Sequence, residues 1–238
     1  DVSPDFVNSD AVEKYFGCFQ NSDIPIRTRP RAFFSVNPDP IVFVESQSPC
    51  YFIEIGFQSC PDNDESLPAL EVLNLILGDD SFCSRLTSII REKDSLTYNI
   101  RSHHESYLDL GVETIVTTTR LKNLQKMLLG IKGELIKLVS DGITEEELRV
   151  AKSSLLGNGI KSYDDPAHMA EHFAIQGRLA LKTGTLITPG DYFERVSRLT
   201  TDDVIEVARN TFQFDKAILG VIGPKVKQGV LESFFDAV

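Results

Sequence analysis

No stretch of this sequence approaches the roughly 18 consecutive apolar residues that a membrane-spanning helix requires. Basic charge is also scarce: 24 Lys and Arg stand against 35 Asp and Glu, a formal net charge of −11. So acidic a surface repels phosphate backbones and anionic membrane faces, which argues against nucleic-acid or lipid partners and suits neutral or basic peptides. Cysteine is sparse and dispersed. Cys18, Cys50, Cys60 and Cys83 have no C-x-x-C spacing, which excludes a thiolate zinc site or a thioredoxin-like pair of that pattern. One disulfide among them is open, but in a chain of 238 residues they read first as small buried hydrophobes. There is no G-x-S-x-G elbow, phosphate-binding glycine loop or calcium loop. Asp1-Val2-Ser3-Pro4-Asp5 also lacks the basic-then-apolar pattern of a signal peptide.

What is present is a set of short apolar runs followed by long helical periodicity. Residues 32–36, 41–44 and 51–57 are β-branched or aromatic and bounded by Pro, Asn, Asp and Ser, so they read as strands. Leu70, Leu73 and Leu77, with Val72 and Ile76 between them, fall at helical spacing over 67–77, with Pro68 in the first turn and Gly78 as a stop. A second helix is expected over 82–93. Strands over 97–107 and 111–119 flank a turn carrying Asp109 and Gly111. Beyond Leu121 the pattern is mainly helical. Thr144-Glu145-Glu146-Glu147 forms a capping box, Thr200 and Thr201 offer N-caps, and 217–222 is a last strand. Hairpin-forming strands with helices gathered in blocks indicate an α+β two-layer sandwich, a mostly antiparallel sheet with helices on one side.

The chain's end also echoes its beginning. A helix ending Phe234-Phe235 follows Gly223-Pro224, and a helix ending Tyr15-Phe16 follows Ser3-Pro4. Residues 1–20 therefore read as the tail of a preceding homologous domain, and 21–238 as the domain proper.

Two histidine patterns invite a metal. His168-Met169-Ala170-Glu171-His172 is H-x-x-E-H, which on a helix opened by Asp165-Pro166 places both imidazoles on one face, where zinc could bind and Glu171 could activate water. A third ligand is needed, and none of Glu194, Asp202 or Asp203 is singled out by its placement. His103-His104-Glu105 lies on a strand, where neighbouring side chains point to opposite faces and cannot share one metal.

The most distinctive stretch runs from Leu77-Gly78 through Ser84-Arg85-Leu86 and Arg91-Glu92-Lys93 to Leu96 and Tyr98. It resembles the C-terminal, zinc-free repeat of the pitrilysin, insulin-degrading enzyme and mitochondrial processing peptidase family. Tyr107-Leu108-Asp109-Leu110-Gly111, Gly142-Ile143-Thr144 with Ala151-Lys152, Leu199-Thr200-Thr201-Asp202-Asp203-Val204 and Val221-Ile222-Gly223-Pro224 are similar to later segments of that repeat, in the same order. The sequence departs from it at Asp79 and at Asp94-Ser95, where glycine is usual.

The resemblance implies the substrate-binding, non-catalytic half of a zinc metalloendopeptidase, inactive alone, with the processing-peptidase fold. It places zinc in a homologous partner domain, upstream on the same polypeptide or on a separate subunit, with a peptide held between the two. The helix that would carry the zinc motif has Leu70, Leu73 and Asn74 at the ligand positions. His168, Glu171 and His172 fall in a later helix, with too few residues after them for the family's third ligand. Arg91 and Tyr98 correspond to the family's substrate-contacting pair. From the residues alone, Arg91 could equally oppose its helix terminus and Tyr98 be an ordinary strand aromatic. Two other readings stay open: a structural homologue without substrate, and a self-sufficient hydrolase using His168 and His172. Ser84, Arg85 and Leu86 read as helix-start packing.

Overall fold

The computed structural model describes residues 13–15, 17–18, 39–62, 64–78 and 84–236. The chain divides into two compact units, residues 1–33 and 34–238. In the first, residues 13–15 form a helical turn and Gly17 N donates to Glu13 O at 2.8 Å. Most of the expected 1–20 tail and the expected strand at 32–36 lie outside the described residues.

In the second unit, alternation builds the sheet. Tyr51, Ile53, Ile55 and Phe57 of β2 (Cys50–Ser59) are buried while Phe52, Glu54 and Gln58 face out, the period-two pattern of a strand with one covered face. The other strands are β1 (Ile41–Glu45), β3 (Ile100–Ser106), β4 (Gly111–Arg120) and β5 (Ile218–Gly223), in the order β1-β5-β2-β4-β3. β3 and β4 form the expected antiparallel hairpin, with Tyr107 N donating to Leu110 O at 2.8 Å across its turn. β1 does not pair with β2. The C-terminal β5 inserts between them, parallel to β1 and antiparallel to β2, burying Leu219 and Val221. On the outer face Val44, Ile222 and Phe52 form one row, each about half exposed.

Helices cover the other face. α1 (Leu67–Leu77) buries Leu70, Leu73 and Leu77 and stops at Gly78. A Cβ at Gly78 would lie 2.7 Å from Ser102 N, which donates to Gly78 O at 3.0 Å, so only glycine lets the helix end meet β3 this closely. The helix expected over 82–93 is instead a π-helix over Thr87–Lys93, with the Asp94 N–H reaching back five residues to Ile89 O. Then follow α2 (Leu124–Asp141), α3 (Glu145–Tyr163), α4 (Pro166–Thr183), α5 (Pro189–Arg198), α6 (Thr201–Thr211) and the short α7 (Gln228–Glu232). The Thr144–Glu147 capping box is present: Glu147 N donates to Thr144 Oγ1 at 3.2 Å and Thr144 N to Glu147 Oε2 at 2.8 Å. Thr200 and Asp203 repeat it at α6. Among the described residues no helix is long and apolar enough to cross a membrane.

Segments distant in sequence are braced by charged side chains. Arg85 grips Glu147 with two hydrogen bonds, Nε to Oε1 at 2.6 Å and Nη2 to Oε2 at 2.9 Å, and donates to Gly142 O at 2.9 Å. That carbonyl belongs to the glycine that ends α2 at φ +77°, a backbone conformation that side-chain-bearing residues rarely adopt. Lys152 Nζ donates to Ser197 O at 2.6 Å and Leu199 O at 2.9 Å, a cation at the negative end of α5. Two of the cysteines depart from the buried role expected of them. Cys18 is exposed and Cys50 is part-exposed at the start of β2, whereas Cys60, just past its end, is partly buried and packs against the core; Cys83 lies outside the described residues.

Candidate functional site

Tyr98 lies where the chain leaves the π-helix for the sheet. The strand expected from Thr97 begins only at Ile100, because Thr97 closes a local turn in which Asn99 N donates to Thr97 Oγ1 at 3.1 Å. The Tyr98 ring is 85% exposed, too open to be a packed strand aromatic. Arg91, on the last turn of the π-helix, sets its guanidinium carbon 5.2 Å from the Tyr98 ring centroid, within cation–π range. The sequence-derived pair is thus one structural unit at the end of the sheet. Asn99 begins an open basin of about 690 Å³ over the outer face of β3 and β4, with Arg101, His103 and Glu105 along the β3 side and Glu54 on the β2 side.

Ser95 holds φ +51° between the two, the left-handed conformation that a glycine would adopt without steric cost. Ser95→Gly is therefore expected to stabilise the fold by about 0.5–1 kcal/mol, since relief of strain outweighs the added freedom of the unfolded chain. Melting should rise by a few degrees, whereas Ser95→Ala should give no gain.

The helix position of the zinc motif offers no ligand set. Leu70 and Leu73 are core residues, and Asn74 accepts a hydrogen bond from the Ser102 hydroxyl, tying α1 to β3. His168, Glu171 and His172 all lie on α4. His168 and Glu171 are exposed, with His168 Nδ1 3.7 Å from the Asp165 carboxylate. His172 turns inward: its ring lies 3.0 Å from Ile187 O through Nε2 and 3.0 Å from the Tyr163 hydroxyl through Nδ1. A carbonyl only accepts, so Nε2–H donates to Ile187 O, and Nδ1 of the neutral ring accepts a hydrogen bond from the Tyr163 hydroxyl. A metal would have to displace one of these bonds. Of the candidate third ligands, Glu194 pairs with Arg198 and Asp203 caps α6. Among the described residues, no group of three His, Cys, Asp or Glu side chains could hold a metal ion.

His103 and His104 do point to opposite faces. His103 is exposed, whereas His104 is half-buried between the Ser59 and Ser106 hydroxyls at 3.3 and 2.6 Å. Burial pushes the His104 pKa down.

Comparison with known proteins decides the family. A model described as the peptidase M16 inactive domain matches residues 1–155. The chain belongs to the M16 inactive-domain family. It is 30% identical over 176 residues to an uncharacterized zinc protease of Rickettsia felis, covering 74% of this chain and 41% of that protein. It is 28% identical over 223 residues to one of Bacillus subtilis, covering 94% and 52%. The crystal structure of an M16 inactive domain from Pseudomonas fluorescens superposes with a TM-score of 0.72 at 26% identity, over 79% of this chain and 44% of that one. The chain thus spans about half the length of the curated relatives it matches.

Much of what holds this M16 domain's Arg91–Tyr98 unit together was not visible in sequence. Thr117 and Thr119 reach the turn from the buried face of β4, and their alternation with Ile115 was the available signal. Glu71 of α1, away from that unit, was likewise not singled out in sequence. Its carboxylate accepts the Tyr192 hydroxyl of α5, and burial raises its pKa against that hydrogen bond.

Proposed function

We propose that this M16 domain binds peptide and lends Arg91 and Tyr98 to a hydrolytic site whose zinc belongs to a homologous domain, on the same polypeptide or on a partner subunit. The observation that carries this reading is the exposed Tyr98 with the Arg91 guanidinium over its ring, one residue before Asn99, which lines an open basin. A solvent-facing phenol can donate a hydrogen bond to a peptide carbonyl as negative charge develops on it, and a guanidinium offers fixed donors to peptide carbonyls or a carboxylate. The described residues do not fit zinc: the helix where the family resemblance would put the motif carries Leu70, Leu73 and Asn74, and His172 spends both nitrogens on Tyr163 and Ile187. Its work is to bind and orient.

The isolated chain is expected to carry no stoichiometric zinc and to hydrolyse no unstructured peptide, and to acquire turnover when joined to a zinc-bearing M16 half. Metal analysis of the purified chain and a quenched-fluorescence peptide assay measure both. About one zinc per chain that disappears in His168→Ala would return the metal to α4 and sink the proposal. A folded complex of the two halves in which this chain leaves peptide binding unchanged would reduce it to a scaffold.

A further inference from the structure

Tyr98 is so exposed that its own packing cannot fix its position, yet the backbone on both sides of it is tied down. On the near side, Leu96 is buried and its N–H donates to Ile90 O at 3.0 Å, holding it to the π-helix. Its carbonyl accepts from Thr119 Oγ1 at 2.8 Å. On the far side, the Asn99 carbonyl accepts from Thr117 Oγ1 at 2.9 Å and from Thr97 Oγ1 at 2.9 Å. Thr117 Oγ1 also lies 3.2 Å from Thr97 Oγ1, so the two hydroxyls converge on one carbonyl, each giving it its single proton. Thr117 and Thr119 are both 3% exposed and project from β4 into the helix-covered face, in line with buried Ile115. Valine would fill that space without burying a polar group. The hydroxyls are spent on the two carbonyls that bracket Tyr98.

We propose that Thr117 and Thr119 are positioning residues, clamping the backbone on either side of Tyr98 so that its exposed ring and the Arg91 stacked on it face the peptide in one orientation. This rests on the reading of Arg91 and Tyr98 as the peptide-contacting pair. The clamp belongs to β4, the strand whose outward residues Thr114, Val116 and Thr118 floor the basin. One strand therefore floors the basin with its outer face and, with its inner face, ties down the turn that carries Tyr98. Reacting groups must be held to a fraction of an ångström, and a misplacement of about 1 Å can cost on the order of 100-fold in rate.

The test compares Thr117→Val/Thr119→Val with Thr117→Ser/Thr119→Ser. In the chain itself, NMR should show contacts between the Tyr98 ring and the Arg91 side chain in the wild type and the Ser pair. In the Val pair these contacts should be lost, and the amides of residues 97–99 should exchange at least about tenfold faster. In the complex with the zinc-bearing half, kcat/KM on a quenched-fluorescence peptide should fall by about 10- to 100-fold in the Val pair and recover in the Ser pair. Melting should drop by only several degrees. Unchanged ring contacts and exchange in the Val pair would overturn the clamp. If the loop loosens and turnover holds, Tyr98→Phe in the same assay separates the failures. A Tyr98→Phe loss with an active Val pair overturns the clamp alone. Wild-type turnover in both overturns the peptide-contacting reading with it.

Discussion

Tyr98→Phe is expected to lower kcat/KM of the assembled peptidase by about 10²–10³-fold while leaving the fold almost untouched. The ring is 85% exposed, so its hydroxyl is hydrated in the folded chain and its loss costs about 1 kcal/mol or less. A donor aimed at a carbonyl that becomes an oxyanion is worth far more, because its contribution appears only as charge develops. Arg91→Lys keeps the charge but loses the planar group that stacks on the ring, so turnover should also fall, largely through KM. Rates for each variant are to be measured beside its thermal unfolding. Wild-type turnover in both would take the pair out of the site. Loss of activity in step with loss of folding would make the pair structural.

The reach of sequence reasoning here follows the range of the interactions. α1 appears with the bounds its leucine spacing and Gly78 define, and the capping box at Thr144 and the N-cap at Thr200 appear because each is closed within four residues. The β3–β4 hairpin is local and was legible. The parallel pairing of β1 with β5 joins Ile41 to Leu219 and leaves no trace in the spacing of either strand. The segment 87–93 carries an ordinary helical pattern. Its π geometry arises at its end, where the chain turns through Ser95 and Leu96 N reaches back to Ile90 O. For the site, the residue types and order of Arg91 and Tyr98 carried the resemblance, and the exposure of the ring was not readable. The groups that hold it lie some twenty residues further on, in β4.

The largest stability effect is expected at the Arg85–Glu147 brace, for which packing alone had been anticipated at Arg85. The two side chains are only 19% and 29% exposed and lie 62 residues apart in sequence. Arg85→Met should cost about 2–3 kcal/mol, less than a fully buried pair, because it strips Glu147 of its partner and Gly142 O of a donor. At about 2–4 °C per kcal/mol for a domain of this size, melting should fall by roughly 5–10 °C. Burial pushes the Glu147 carboxyl up, but the hydrogen bonds from Arg85 and Thr144 override it and hold its pKa at about 2, against 4.5 for the free group. A folded-state value below the unfolded one means that the ionised carboxylate stabilises the fold. That contribution is fully present above about pH 4.5 and is lost as pH falls towards 2. Glu147→Gln retains a side chain that can close the capping box, and so isolates the charge. Allowing for solvent screening of a part-exposed pair, it should cost about 1–2 kcal/mol at pH 7. The gap between wild type and Glu147→Gln should narrow steadily below pH 4.5, as measured by denaturant unfolding across the range. A gap that stays constant down to pH 3 would assign the brace to packing and neutral hydrogen bonds. A coupling near zero in the Arg85→Met/Glu147→Gln cycle would mean that the two residues act independently, despite the 2.6 Å contact between them.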